Sequence, residues 1–261
     1  MFVSVHNYMK EFNILSHNVF WFQGFPSPVD RPPELDVEVL RLLCAMYQDL
    51  NPDVICLQEI QSEHVFHEVC RHLGMTGFYC EGKESSKYGG AMFWHPHRGR
   101  QILDSRAIKA RTQRMWQIAE VIGTNACLSI CNVHLPSGSE LGLEQAATQR
   151  LVEIKESIRS VETGPDIILG DFNEAPPGPV SSFLNNSDYV DSAVLTDRTP
   201  YPTHIRGGRG DIIWVKNELK RTLCHYNVVK IQDFTYSDGG KQYLSDHLPL
   251  WITVDMNCNE I

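Results

Sequence analysis

Asp166-Ile-Ile-Leu-Gly-Asp171-Phe-Asn173 sets a carboxylate and a carboxamide, one residue apart, directly behind a short apolar run. Ile167, Ile168 and Leu169 are too few and too β-branched for a helix, so the run reads as a buried strand. Gly170 then ends the pairing and lets the chain turn. Side chains alternate along an extended chain, so Asp171 and Asn173 leave the strand end on one side. A fixed carboxylate beside a fixed amide can hold a water or a hard metal ion. It can equally be a plain turn, which both residue types favour. The same event recurs along the chain: Asn18, Glu59, His134, Asp211, and Asp246 with His247 each stand where an apolar run begins or stops. Any one of them has a structural explanation. Together they form a set of carboxylates, amides and histidines at strand ends, where sites are commonly built.

Glu59, Asp171, Asn18 and Asn173 offer hard oxygen donors, the kind Mg²⁺ takes while keeping several waters. Histidines can donate to phosphoryl oxygens. A His247 held by a carboxylate would stay protonated and stabilise a pentavalent phosphorus transition state. Asp171 would orient or deprotonate an attacking water, with Asn173 fixing it. Metal, cationic donors and water together describe phosphoester hydrolysis.

These residues need strands to carry them. The run from Phe12 predicts a strand ending near Asn18, followed by a Pro-rich loop over 23–33. Leu35, Val39, Leu42, Leu43, Met46 and Leu50 have helical spacing, and Asn51-Pro52 stops that helix. Asp53–Glu59 is a second buried strand, and 62–73 a helix capped by Ser62. Gly89–Trp94 is a strand, and Trp116–Ile122 with Leu128–Leu135 an antiparallel pair turning at 123–125. Leu141–Val161 reads as one long helix, and Val180, Phe183 and Leu184 as a short one. Residues 195–210 form a loop, Asp211–Val215 a strand, Val228–Phe234 another, and Leu248–Val254 the last. Hairpin-like neighbours mixed with helical crossovers favour a mixed α/β sandwich over a doubly wound parallel sheet. No linker divides the chain, so 1–261 is expected to be a single domain.

The 261 residues are 42% hydrophobic and 21% charged, enough to build a full core. A net charge of −9 excludes a protein that holds nucleic acid by overall charge, though not one with a local basic groove. No apolar run is long enough to cross a membrane as a helix. Met1–Lys10 has no apolar signal-peptide region, and the cysteines include no Cys-x-x-Cys pair. Cys56 and Cys131 sit within apolar runs. Reduced thiols in a cytoplasmic or nuclear protein are the expectation, and a monomer is favoured.

Asn18, Leu57-Gln58-Glu59, Asn132-Val133-His134-Leu135, Gly170-Asp171-Phe172-Asn173, Asp211-Ile-Ile-Trp214 and Ser245-Asp246-His247 stand in this order over about residues 12–255. In this the chain resembles the endonuclease/exonuclease/phosphatase superfamily, whose type member is deoxyribonuclease I. The resemblance implies a four-layer α/β/β/α sandwich of two mixed, mainly antiparallel sheets with the site at one end. It implies Mg²⁺ or Mn²⁺ held chiefly by Glu59 with help from Asn18, and Asp246 nearby as a further metal ligand. His134 would contact the scissile phosphate or assist the leaving group, and Asp171 and Asn173 would align the nucleophile. Asp211 would orient His247, which binds the phosphate. His134 stands where apurinic-site nucleases carry tyrosine. It is similar instead to the histidine of deoxyribonuclease I, poly(A) deadenylases, tyrosyl-DNA phosphodiesterases, neutral sphingomyelinases and inositol-polyphosphate phosphatases. The stretch from Gly170 to Leu184, with its prolines and short helix, is similar to deadenylase-like members.

Two departures concern the substrate side. Gly210-Asp-Ile-Ile-Trp214 replaces the Arg-Ile-Asp-Tyr-Ile of many members, with Arg209 as the remaining basic neighbour, and Thr203-His204 replaces Thr-Trp or Thr-Phe. Residues 83–114 hold eight lysines and arginines against Glu84 and Asp104, which reads either as a phosphate-lining segment or as a solvated face. Arg114 and Tyr88 within it, and Arg209 on the loop before Asp211, are the candidate substrate contacts, while Trp94, Phe20, Trp21 and Phe22 are candidates for base stacking or core. Three functional classes follow: a Mg²⁺-dependent phosphodiesterase on nucleic acid, an enzyme of the same fold on a small phosphoester such as an inositol phosphate or phospholipid headgroup, or an inactive binding module. Every key polar position is filled, which argues against the last.

Overall fold

Strands buried on both faces read as apolar runs, and such runs form the centre of each sheet. In the computed structural model, which describes residues 11–27, 34–122, 127–196 and 201–255, the chain runs β1 (Glu11–Asn18), α1 (Val37–Leu50), β2 (Val54–Ile60), α2 (Glu63–Leu73), β3 (Thr76–Cys80), β4 (Gly89–Trp94) and β5 (Gly99–Asp104). It continues through β6 (Met115–Ile122), β7 (Cys127–His134), α3 (Gly138–Leu141), α4 (Leu143–Arg159), β8 (Ile167–Asp171), α5 (Pro179–Asn186), β9 (Tyr189–Asp191) and α6 (Ser192–Leu195). Then come β10 (Asp211–Lys216), β11 (Leu223–Val228), β12 (Thr235–Asp238), β13 (Lys241–Tyr243) and β14 (Leu250–Asp255).

One six-stranded sheet has the order β11-β14-β1-β2-β4-β3, the other β5-β6-β7-β8-β10-β9. Each holds one parallel pair, β1 with β2 and β7 with β8, among antiparallel neighbours. A parallel pair needs a crossover, and α1 and α4 supply the two. Three apolar layers follow from strand parity. Ile14, Cys56, Ile130, Leu169 and Ile213 meet between the sheets. Leu15, Ile55 and Leu57 pack outward on Leu40 and Leu43 of α1 and Val65 of α2. Cys131, Val133 and Ile168 pack outward on Ile154 of α4 and Val180 of α5. This is the expected α/β/β/α sandwich.

The sequence reading misses elements at the sheet margins. β3, β5 and β9, unread in the sequence, are all edge strands. An edge is partly exposed and short, so its apolar signal is weak. β3 also carries Gly77, where a Cβ would lie 1.9 Å from Met92 O. The strand expected at 228–234 is not formed: β11 precedes it and ends at Val228, and Ile231–Asp233 is a 3₁₀ turn. The helix expected from Leu141 breaks at Gly142 (φ +80°) into α3 and α4. Gly170 does not end its strand but pairs within it, where a side chain would strike Val133 O at 2.0 Å. Of the Pro-rich loop, 28–33 lies outside the described residues, as does the turn at 123–125. No helix among the described residues is long and apolar enough to cross a membrane. Cys258 lies outside the described residues, and Cys44, Cys56, Cys70, Cys80, Cys127 and Cys131 are free thiols.

Glu153 ties α4 to the segment leading into β6. Its Oε1 accepts from Gln113 N (2.8 Å) and Gln149 Nε2 (3.0 Å), while its Oε2 is buried without a partner. Burial raises its carboxyl from 4.5 to about 7. A raised carboxyl favours folding most at low pH, and that advantage is lost as pH rises from 4.5 through about 7. Glu153→Gln is therefore expected to gain on the wild type across that window, by on the order of 3 kcal/mol in urea unfolding. A stability gap that does not change with pH would refute a perturbed carboxyl here.

Candidate active site

The inward row of each central strand turns polar towards one end of the sandwich. Asn18 ends β1, Glu59 lies near the end of β2, His134 ends β7 and Asp171 ends β8. Asp211 starts the antiparallel β10 and so reaches the same end, opposite Asp171, which in turn stands opposite His134. Beneath them lies a buried amide layer that bridges the sheets. Gln58 Nε2 donates to Asn132 Oδ1 (2.7 Å), and Asn132 Nδ2 donates to Gln117 Oε1 (3.0 Å) and Leu57 O (3.1 Å). Buried polar groups with partners fix a unique register, because losing one partner leaves the other unsatisfied.

Asp171 is the hub. Its Oδ1 accepts from Asn173 N (2.9 Å), and its Oδ2 accepts from Asn18 Nδ2 (3.1 Å) and Asn173 Nδ2 (3.2 Å). Asn173 sits at φ +49°, a left-handed turn that asparagine tolerates, and also donates to Leu135 O (3.0 Å). His134 Nε2 is 3.5 Å and His247 Nε2 3.9 Å from Asp171 Oδ2. Burial pushes the Asp171 carboxyl up, but the cationic neighbours, His247 first, outweigh it and hold it below its ordinary range. The turn expected of this stretch is thus present, and it carries the Asp171 carboxylate.

His247 is gripped from several sides. Its Nδ1 donates to Asp211 Oδ2 at 2.8 Å, and Asp246 Oδ1 lies 4.0 Å from Nε2. Burial opposes its charge, yet Asp211, Asp246 and Asp171 lift it well above the usual imidazole range. Asp211 itself is pushed up by burial. Two further residues position this unit: His17, given no role in the sequence reading, and Ser245 of the Ser245-Asp246-His247 motif. His17, buried beside Tyr47, contacts Tyr47 Oη (2.6 Å) and donates to His247 O (3.0 Å). Ser245 Oγ donates to Asn18 O (2.8 Å) and accepts from His247 N (3.2 Å). His204 faces Asp246 Oδ2 at 3.7 Å, with its ring edge-on to His247 at 5.0 Å. Its Nδ1 accepts from Arg206 N (3.0 Å), so Nε2 carries the proton. His204 therefore turns an N–H towards Asp246, at 3.7 Å beyond hydrogen-bond reach, and in this tautomer its Nε2 has no lone pair for a metal.

Glu59 occupies a β-bulge between Gln58 and Ile60 with φ +61°, a conformation that re-aims its side chain into the site. Its Oε1 accepts from Asn18 Nδ2 (3.3 Å) and lies 3.7 Å from His134 Nε2. Its Oε2 is buried with no partner, and so is Asp246 Oδ1. Burial, reinforced by Asp246, raises the Glu59 carboxyl to about 8. Partnerless hard oxygens in a crowd of carboxylates fit a divalent cation such as Mg²⁺ or Mn²⁺. Asn18 differs from the oxygen ligand expected of it. Its Oδ1 accepts from Phe20 N (3.0 Å), and its NH₂ bridges Glu59 and Asp171.

On the other flank, Arg114 is buried (4% exposed) and donates to His134 Nε2. Its guanidinium stacks on Tyr88 at 3.9 Å, and Tyr88 stacks in turn on Trp21 at 5.5 Å. Three successive left-handed residues, Phe20, Trp21 and Phe22, swing Trp21 into that place, where its Nε1 donates to Lys87 O (2.7 Å). Burial, then Arg114, keep His134 neutral, well below the usual imidazole range. Trp94 and Phe22 belong to the core layers. Most of the basic segment is already engaged: Arg100 with Glu120, Arg106 with Asp104, Arg111 with Glu84, and Lys83 with the carbonyls of Ile108 and Ala110.

Arg209 is not at the substrate face. Both ends of its guanidinium pair with Asp191 at 2.6 Å, and only 11% of the side chain is exposed. Arg209→Ala would strand the buried Asp191 charge and is expected to cost about 3 kcal/mol of stability. The surviving folded enzyme should keep a near wild-type kcat and KM; a large rise in KM would restore Arg209 to the substrate face.

Residues 12–247 match the model of the Endonuclease/Exonuclease/phosphatase family. Over 158 residues the chain is 27% identical to carbon catabolite repressor protein 4 homolog 3 of Arabidopsis thaliana, covering 57% of this chain and 35% of that protein. The match to protein angel homolog 2 of Bos taurus is also 27% identical, over 72% of this chain and 39% of that protein. The chain thus spans well under half the length of these curated relatives. Among solved structures, D. rerio TDP2 complexed with single strand DNA product superposes with a TM-score of 0.67 at 17% identity, over 93% of this chain and 98% of that one. With the family model matched over nearly the whole described sandwich, the chain belongs to the Endonuclease/Exonuclease/phosphatase family.

Proposed function

We propose that the chain is a divalent-metal-dependent phosphodiesterase whose substrate is the backbone of nucleic acid. The observation that supports this most is the Asp171 carboxylate, held ionised and ringed by Asn18, Asn173, His134 and His247. Glu59 would hold Mg²⁺ or Mn²⁺, with Asp246 near it. Bound there, the ion supplies positive charge to the phosphoryl oxygens and lowers the pKa of a water.

The chain's own residues do the rest. Asp171 accepts a hydrogen bond from the attacking water and takes its proton, while Asn18 and Asn173 fix the carboxylate's plane. His247 donates Nε2–H to a phosphoryl oxygen, and Asp211 stabilises the imidazolium and its orientation. Neutral His134 is a poor acid. It accepts from Arg114 and so aims the guanidinium, and Arg114 supplies the second cation facing the phosphate. Tyr88 and Trp21 back that cation with an aromatic wall suited to a nucleotide. A second reading, a small phosphoester as substrate, draws support from the net charge of −9 and from the ion pairs that neutralise the basic segment.

A substrate panel tests both readings. With Mg²⁺, the protein is expected to hydrolyse at least one of single-stranded DNA, RNA, duplex DNA or a 5′-tyrosyl oligonucleotide, and EDTA should abolish it. Asp171→Asn and His247→Ala should each lower kcat/KM by about 10³-fold with circular dichroism unchanged. Hydrolysis confined to inositol phosphates would select the second reading. No EDTA-sensitive hydrolysis of any phosphoester would remove both.

A further inference from the structure

Glu140 stands one guanidinium away from the phosphate site and has no role in the chemistry above. It is carried by α3, a single turn capped by Ser137 and separated from α4 by the left-handed Gly142. From there its carboxylate gathers the cationic flank of the site. Oε2 accepts from Gln113 Nε2 (2.7 Å) and Arg114 NH2 (3.3 Å), and Oε1 lies 3.5 Å from Lys87 Nζ. Its side chain is 24% exposed, so it sits at the mouth, between buried Arg114 and solvent. Arg114 does not depend on it for placement, because the guanidinium is also stacked on Tyr88 and bonded to His134.

The charges near the phosphate make the placement consequential. Glu59, Asp171, Asp211, Asp246 and Glu140 face Arg114, Lys87 and His247. With one divalent cation at Glu59, the two sets balance. A balanced site accepts one negative charge with less repulsion than two, and a phosphodiester carries one where a phosphomonoester carries two near pH 8. We infer that Glu140 is a specificity residue: by cancelling one of the two positive charges of Arg114 and Lys87 it tunes the site to phosphodiesters and against phosphomonoesters. This rests on the phosphoester reading above.

Glu140→Gln keeps the shape and an acceptor for Gln113 while removing the charge. Inorganic phosphate, added to the Mg²⁺-loaded protein at about pH 8 and followed by calorimetry, needs no turnover. The variant should bind it about fivefold more tightly, the effect of one partly exposed charge. The ratio of kcat/KM for p-nitrophenyl phosphate to that for bis(p-nitrophenyl) phosphate should rise by a similar factor. Equal or weaker phosphate binding by the variant would overturn the inference, as would an equal fall in kcat/KM for both esters, which would mark Glu140 as a support for Arg114 only. If the wild type turns over neither ester, the phosphate titration alone decides the charge role of Glu140, and the phosphoester reading stands or falls on the substrate panel above.

Discussion

Glu59, Asp171, Asp211 and Asp246 are crowded into one end of a sandwich whose interior is otherwise apolar, and the rest of the site answers their mutual repulsion. Carboxylates in a low-dielectric setting cannot all ionise without compensation. Each is given a different partner. Asp171 receives three amide N–H bonds, lies 3.9 Å from the His247 imidazole, and is held ionised. Asp211 receives the His247 imidazole, and Asp246 faces His204. Glu59 is left with an open buried oxygen and a carboxyl raised to about 8, so it is the group that a cation would settle most. Under the proposed function, aligning the water, supporting the His247 imidazolium and holding a metal would be separate roles that environment assigns to chemically similar carboxylates.

The fold makes that assignment rigid. The two parallel pairs send four strand ends to the same edge, and the Gln58–Asn132–Gln117 layer ties the facing sheets directly below them. Backbone strain appears where aim matters: Glu59 on its bulge, Asn173 after Asp171, and the Phe20–Phe22 turn that delivers Trp21 to Tyr88. Such conformations persist only where surrounding packing over-determines them. Here the neighbours are fully buried, as Leu57, Ile60, Phe22 and Phe172 show.

What the sequence reveals follows from the same physics. β1, β2, β4, β6, β7, β8, β10 and β14 are legible because strands covered on both faces must be apolar, and those that reach the site carry a polar residue at that end. Sheet edges are not legible, since a half-exposed strand such as β5 tolerates almost any residue. Asp171, His134, Asp211 and His247 are legible as polar strand-end residues, with their expected roles implied by the family resemblance, and the structure brings them together. Partners distant in sequence are hidden. Nothing local marks Arg209 as the mate of Asp191, Glu140 as the mate of Arg114, or His17 as a support for His247. The role of Asn18 is hidden for a related reason, because which end of an amide faces a carboxylate depends on the backbone N–H it finds, here that of Phe20.

The central claim is that the open oxygen of Glu59 is the seat of a divalent cation. Electron paramagnetic resonance titration of Mn²⁺ against wild type and Glu59→Gln tests it without reference to any substrate. Saturable binding in the wild type, weakened at least about tenfold in the variant with the fold intact, is the predicted result. Equal affinity in the two proteins would contradict the account.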